Sequence, residues 1–477
     1  MPEFPLALTY DDVLLVPRRS DIGSRAQVDT TARFTRGLTV TAPVIAANME
    51  TVTEARMAIA MARVGGIGVI HRFLPLAQQV SEVERVKRAE NLVIAQPYAI
   101  SGTATVADAL ELMAQREVRS LLVTMPDGRL DGILTTRDLV LAEPGDTVAQ
   151  HATPRDRLVT ASPGIPLDEA RELLHSHRLE KLPLVDAEGV AAGLVTMRDL
   201  MALRERPHAS KDHRGQLLVA AAVGVRGDWL ERSHALVAAG ADALVLDIAH
   251  GHADHAVAAL ERLRSELPDI QLVAGNVATG EGAADLCRAG ADAVKVGVGP
   301  GSACTTRVVA GVGVPQLTAV LDAVEACREH DVPVIADGGI REPGDVAKAI
   351  AAGAETVMVG NLLAGTDESP GRLVTRGGQK FKVYRGMASA EAARVRMTAE
   401  GVEPPDGTEF AQVVPEGVEA AVPHRGEAAQ VVHRLVGGLR SAMSYADAHS
   451  VAEFHENARF VRITPAGLIE SRPHDLS

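Results

Sequence analysis

Short apolar runs recur along this chain, each leading toward Gly, Asp or Asn: residues 38–47, 67–70, 217–224, 243–247, 271–275, 293–297, 333–337 and 356–360. Most of the intervals between them hold apolar positions at helical spacing, as in 229–239, 253–265, 282–289 and 319–330. Strands alternating with helices imply βαβ units and a parallel sheet. Eight strands is the number that closes a barrel, so the expected fold class is α/β, a (β/α)8 TIM barrel. A repeat within the chain supports this. Ala239-Gly240-Ala241-Asp242, Ala289-Gly290-Ala291-Asp292 and Ala352-Gly353-Ala354-Glu355 each close a helical stretch and open an apolar run. Glycine suits the left-handed position that ends a helix. Any βα protein has such caps, but three in register favour a barrel.

The pattern breaks after the second run. Residues 96–204 carry a twofold repeat of their own. A helix is expected over 105–116, strands over 120–124 and 132–134, and a further helix starting near Thr136-Arg137-Asp138-Leu139; the second half repeats this at 167–177, 182–185, 193–195 and Met197-Arg198-Asp199-Leu200. The chain therefore divides into a first part of the barrel at 1–94, an inserted α+β domain at 95–205, and the rest of the barrel at 206–477. The insertion resembles a tandem pair of CBS motifs (a Bateman domain), the module that binds adenine nucleotides between its halves. That resemblance implies an adenine or guanine nucleotide effector near Thr136, Asp138, Thr196 and Asp199, although an Asp beginning a helix is also favoured by the helix dipole alone. Residues 401–426 are rich in Pro, Gly, Glu and Asp without periodicity, which predicts a mobile active-site flap over about 388–426.

Charge and composition narrow the function. A formal net charge of -14 over 477 residues argues against a nucleic-acid partner, which needs a basic face. Three cysteines without a CxxC pair read as reduced and intracellular. The start of the chain lacks the charged and apolar regions of a signal peptide, and no apolar run reaches the ~20 residues of a membrane span. A cytoplasmic protein is expected. Aromatic residues make up only 3%, so the core must be aliphatic, as in parallel strands buried on both faces.

The run with the most chemistry is Val296-Gly297-Val298-Gly299-Pro300-Gly301-Ser302-Ala303-Cys304-Thr305-Thr306-Arg307. It follows the sixth strand, at the end of the barrel where such enzymes keep their chemistry. Its glycines and proline specify an irregular loop able to approach a ligand or cation closely. A cysteine at its tip, flanked by hydroxyls, is a candidate nucleophile, whereas Cys287 and Cys327 fall in helical stretches and read as inert core thiols. Asp337-Gly338-Gly339 and Gly360-Asn361 end the last two strands, the usual phosphate cradle of a barrel.

Leu8-Thr9-Tyr10-Asp11-Asp12, Asn48-Met49-Glu50-Thr51-Val52-Thr53-Glu54, the 299–307 loop, Asp337-Gly338-Gly339-Ile340-Arg341, Tyr384-Arg385-Gly386-Met387 and Gly437-Gly438-Leu439-Arg440 together resemble the IMP dehydrogenase/GMP reductase family. The resemblance runs from residue 8 to the end and implies a purine mononucleotide substrate. Cys304 matches the nucleophile that attacks purine C2, Thr306 the hydroxyl that helps activate water or ammonia, and Glu416 a flap carboxylate. Met49, Ser302, Asp337, Gly338 and Gly339 match the nucleotide site, as do Gly360, Asn361, Tyr384, Gly386 and Met387. Asp247, Ala249, His250, Asn276, Gly297 and Gly299 match the dinucleotide side, where His250 and its neighbour His252 read more simply as structural strand-end histidines. Backbone carbonyls of Gly299, Gly301 and Cys304 match a potassium site. A homotetramer, or an octamer of two stacked tetramers, is implied as well.

Direction depends on the flap. The family's dehydrogenases carry an Arg-Tyr pair there, with arginine as the base that hydrolyses the adduct. Between Met387 and Glu416 no arginine neighbours an aromatic residue; Arg394 and Arg396 are the only arginines. Dehydrogenases also favour serine where Ala46 stands. Reductases place a glutamate just after the Gly-Met turn, and Glu391 lies one residue beyond that pattern. Thr53-Glu54-Ala55-Arg56-Met57 and Pro415-Glu416-Gly417-Val418 read instead as dehydrogenase wording. The expectation is a GMP reductase using NADPH (product NADP), with an NAD-dependent IMP dehydrogenase as the alternative and a catalytically silent nucleotide-sensing paralogue as a third.

Overall fold

The computed structural model describes residues 4–89, 97–116, 118–197, 200–201, 206–399 and 414–472. The chain forms two compact units, one of residues 1–89, 208–212 and 217–477, the other of 90–207 and 213–216.

The first unit is a closed barrel of eight parallel strands: β1 (Val44–Ala46), β2 (Ile67–Ile70), β3 (Ala220–Val223), β4 (Ala243–Asp247), β5 (Gln271–Val277), β6 (Ala293–Val296), β7 (Val334–Asp337) and β8 (Thr356–Val359). Alternate side chains divide between two cores, as a period of two requires. Ile45, Ile67, Val69, Ala220, Val245, Val273, Ile335 and Met358 fill the barrel interior. Their neighbours Val44, Ala46, Leu244, Leu272, Val294 and Val357 pack outward against the helices.

All eight apolar runs enter the barrel, with two differences in extent. The 38–47 run is cut by Pro43, which cannot donate to a ladder. Thr39–Val40 instead pairs antiparallel with Ala32–Arg33, and only the residues after the proline form β1. Phe34 and Val40 from this hairpin are fully buried and join the interior set. β5 runs two residues beyond its apolar stretch, through a register shift that lets Val277 pair with Val296. Gly240, Gly290 and Gly353, at φ of 96°, 102° and 99°, are left-handed at their helix ends. The acidic residue after each turn holds a neighbouring segment: Asp242 accepts from the Val219 N–H, Asp292 from Leu272 and Glu355 from Arg33.

The second unit repeats itself. Helix Val106–Gln115 precedes the hairpin Ser120–Thr124/Leu130–Thr135, and helix Leu167–Ser176 precedes Lys181–Val185/Ala191–Thr196. Both hairpins carry a register shift just before their turns, at Val123/Thr124 and Leu184/Val185. The turns join reciprocally, with the Leu130 N–H on the Gly189 carbonyl and the Ala191 N–H on that of Gly128. One expectation fails here. Thr136-Arg137-Asp138-Leu139 forms turns rather than a helix start, although the Asp138 carboxylate accepts from the Thr135 N–H and hydroxyl, both at 2.7 Å, the same contact that Asp108 makes with Thr105 where the helix Val106–Gln115 begins. Asp199 lies outside the described residues. No helix among the described residues is long and apolar enough to cross a membrane.

Candidate active site at the carboxyl ends of the strands

The loop after β6 has Gly297 and Gly299 at φ of 151° and 87°, where a side chain would be strained. A Cβ on Gly297 would also lie 2.0 Å from the Asp337 carbonyl oxygen. The loop delivers Cys304 to the surface, the one exposed thiol of the three; Cys287 and Cys327 are buried against each other.

Two other segments hold this loop. The Thr305 N–H donates to the Glu416 carbonyl at 2.8 Å, the Val418 N–H to Ala303 at 3.0 Å, the Gly386 N–H to Val418 at 3.0 Å and the Glu416 N–H to Ala388 at 3.1 Å. The stack is close-packed: a Cβ on Gly386 would come within 2.7 Å of the Ala303 oxygen. Side chains then complete a relay. Cys304 Sγ lies 3.2 Å from Thr306 Oγ1, and that hydroxyl donates to Glu416 Oε2 at 2.8 Å. Glu391 lies apart from this relay: it is exposed in the helix Ala390–Ala399 and faces Arg394 at 3.8 Å. Thus Glu416, not Glu391, is the carboxylate joined to the thiol.

The expected nucleotide-side residues converge from five segments. Ser302 Oγ donates to Tyr384 Oη at 3.4 Å, and that hydroxyl reaches Met49 Sδ at 3.6 Å. A Cβ on Gly360 would meet both Met49 and Tyr384 at 3.1 Å. Burial pushes the Tyr384 hydroxyl above its ordinary pKa, so it stays protonated. Gly338 and Gly339, at φ of 96° and 82°, form the turn after β7; a Cβ on Gly338 would lie 2.8 Å from Pro300 of the cysteine loop. Met387 is partly buried and follows Tyr384-Arg385-Gly386 in sequence, and Asn361 begins the short helix Asn361–Ala364.

Asp247, Asn276 and Asp337 meet around a residue that sequence reading passed over. Lys295 on β6 is 1% exposed, and its Nζ donates to Asp247 at 2.7 Å, to Asp337 at 2.9 Å and to Asn276. Asn276 also donates to Asp337 and to the Gly297 carbonyl. Burial alone would push the Lys295 pKa down, but the two carboxylates outweigh it and hold it well above the usual lysine value. Burial likewise disfavours the Asp247 carboxylate, yet Lys295 brings its pKa below the ordinary range. The available signal was a lone lysine inside the apolar strand Ala293-Val294-Lys295-Val296. Arg385 was missed too: it bridges Glu50 and Glu419, each at 2.7 Å.

Ala249 and His250 lie exposed at the end of β4, while His252 is tied to Asp285 at 2.7 Å, a structural role. For the expected cation, the Gly301 carbonyl accepts the Cys304 N–H at 3.0 Å, which leaves it a second lone pair. Among the described residues no cluster of His, Cys, Asp and Glu suits a metal. In the second unit Thr136 is exposed.

Comparison with known proteins agrees with this geometry. A family model described as the IMP dehydrogenase / GMP reductase domain matches residues 7–474. The chain is 50% identical over 474 residues to an inosine-5'-monophosphate dehydrogenase from Nitrosopumilus maritimus, covering 99% of each. It is also similar to the crystal structure of a cysteine-to-alanine variant of GMP reductase from Trypanosoma brucei in complex with guanosine 5'-monophosphate, with a TM-score of 0.94, 45% identity, and 99% of both chains covered. A structure of that reductase in complex with guanosine 5'-triphosphate matches at a TM-score of 0.82 and 41% identity, over 97% of this chain and 98% of that one. A (β/α)8 barrel with an exposed cysteine loop after its sixth strand and a match over nearly its whole length make this chain a member of the IMP dehydrogenase/GMP reductase family, oxidoreductases of purine nucleotides.

Proposed function

We propose that this chain is a GMP reductase, converting GMP to IMP and ammonia. The observation that carries the reading is the Cys304–Thr306–Glu416 relay standing without an arginine–aromatic pair between Met387 and Glu416. The adduct common to both family activities therefore has a proton path but lacks the arginine base that hydrolysis uses in the dehydrogenases.

The chemistry balances on these residues. Thr306 takes up the Cys304 proton as Sγ adds to C2 of GMP, and Glu416 shares it through their 2.8 Å hydrogen bond. The same proton returns to the C2 amino group, so the S–C2 bond forms as the C–N bond breaks and ammonia leaves. NADPH held on the dinucleotide side would supply the hydride at C2. The Cys304 thiolate then departs with the S–C2 electron pair. Ser302, Tyr384 and Met49 border the nucleotide, with the Gly338–Gly339 and Gly360–Asn361 turns at its phosphate. Asp247, Asn276, Ala249 and His250 line the dinucleotide side, where the exposed strand-end backbone and the carboxylate suit a ribose. Carbonyls of Gly299, Gly301 and Cys304 suit a hard monovalent cation such as potassium. The inserted unit acts as a tandem CBS sensor; the relative solved with guanosine 5'-triphosphate favours a guanine nucleotide as one effector. The working assembly is a homotetramer or octamer.

The second reading, NAD-dependent IMP dehydrogenase, is favoured by the 50% identical relative of that name. One assay separates them: absorbance of the reduced nicotinamide, with potassium present, in GMP plus NADPH and in IMP plus NAD. Loss of absorbance with GMP, accompanied by ammonia, supports reductase; gain with IMP overturns it and turns attention to Arg394 and Arg396.

A further inference from the structure

We propose that the outer wall of the barrel carries a second anion site, between the helices Pro343–Ala351 and Ala428–Tyr445, that takes a phosphate group. It is a cavity of about 220 Å³ whose polar rim holds Arg341, Arg425 and Arg434. Pro343, Val431 and Leu435 form its apolar floor.

The local sequence builds this pocket. Val431 and Leu435 are four residues apart on the long helix, as are Gln430 and Arg434, so one helical face supplies both floor and rim. One turn on, Gly438 lets the helices touch: a Cβ there would lie 2.3 Å from that of Pro343. That approach fixes the start of the shorter helix against the longer one and leaves the gap on its amino-terminal side. Arg341 is held in place by Asp11 at 2.5 Å. Arg425 follows the strand Glu419–Pro423.

Charge identifies the ligand. Arg341 is already paired with Asp11 and lies 3.9 Å from Asp345, so Arg425 and Arg434 are the guanidinium groups left to face the lining carboxylate Glu342. The nearby Asp345 is occupied by the N–H groups of Arg341 and Glu342. Among the described residues the side chains of Arg425 and Arg434 make no ion pair or hydrogen bond. Arginine forks match phosphate oxygens in pairs, and the positive end of the helix Pro343–Ala351 adds to the field. The volume is below the ~300 Å³ at which pockets begin to enclose drug-sized ligands. It suits inorganic phosphate or the phosphoryl end of a small metabolite. The inference does not depend on the direction of the redox reaction.

The test is calorimetric titration of the full chain with inorganic phosphate, and in a second arm with ribose 5-phosphate, while IMP or GMP saturates the barrel mouth. Saturable binding is expected, and R425A/R434A should weaken it by about tenfold or more, as loss of charged hydrogen bonds implies. Stronger binding of ribose 5-phosphate than of phosphate would identify a phosphorylated metabolite as the source, and the reverse free phosphate. The KM for the mononucleotide should not move. Gln430→Glu, which keeps both arginines but adds a negative charge at the rim, should show the same loss if the double variant folds poorly. Absence of saturable binding, equal affinity in the variants, or a variant that dissociates into smaller oligomers while the intact protein ignores phosphate would overturn the site; the last result would make the arginines subunit contacts.

Discussion

Removing the ammonium of Lys295 would leave Asp247 and Asp337 at the ends of β4 and β7 without the cation that both of them meet. Breaking a buried ion pair from one side costs about 3–5 kcal/mol, so Lys295→Met should lower the urea midpoint accordingly. The pH dependence has a defined sign. The Lys295 pKa is raised on folding, so its contribution is complete below its unfolded value near ~10.4 and fades as pH rises through the folded one. The Asp247 pKa is lowered, so its contribution is complete above the ordinary value near ~3.9 and fades as pH falls through the folded one. The intact protein should therefore hold this contribution between roughly pH 4 and 10. Lys295→Met, with Asp247 no longer held down, should gain stability as pH falls toward about 5. In the relay, Glu416→Gln keeps the shape but not the proton acceptor; a loss in kcat of about 10²–10⁴-fold is expected, with the mononucleotide KM little changed. An unchanged kcat across the pH profile would remove Glu416 from the proton path. Cys304 was legible because a loop cysteine amid glycines has few structural uses. Lys295 was not, because a lysine in a strand reads as an interruption until the carboxylates of two other strands are seen around it.

The three strands of backbone around Cys304 form one device, and its glycines test it. Gly386→Ala would drive a methyl group against the Ala303 oxygen, 2.7 Å away, so the cysteine loop must shift. Turnover should fall by about tenfold or more, since small misplacements at a reacting centre are costly, while the thermal midpoint moves little because the barrel core is untouched. A variant of full activity would mean that the loop is not held as described. Elements were legible where period and punctuation agreed: the Ala-Gly-Ala-Asp turns announced helix ends that the structure forms at positive φ. They were less legible elsewhere. Pro43 split one apolar run between two strands, and residues 136–139 form turns although Asp138 meets Thr135 as Asp108 meets Thr105 at a helix start. The composition predicts one flap over 388–426; its described parts are the helix Ala390–Ala399 and, from 414 onward, the segment that carries Glu416 to Thr306 and continues into the strand Glu419–Pro423.

At the scale of the whole molecule, the barrel and the insertion are separate compact units, and each has its own hydrophobic clusters. Replacing residues 90–207 with a short Gly-Ser linker should leave a folded barrel with near-normal turnover, but one that no longer responds to guanine or adenine nucleotides. Loss of all activity in a well-folded deletion would instead assign the insertion a part in the chemistry. The point of attachment explains why the barrel should survive. Lys87, in the last turn of the helix Leu76–Ala89, pairs with Asp212 at 2.9 Å and with Asp242 at 2.8 Å. The chain thus departs from and returns to a single ammonium group anchored on the barrel's own turn before β4. Such a junction works as a socket: one inserted unit could be exchanged for another, or discarded, without renegotiating the barrel scaffold, and a protein engineer could graft a ligand-responsive module at the same point.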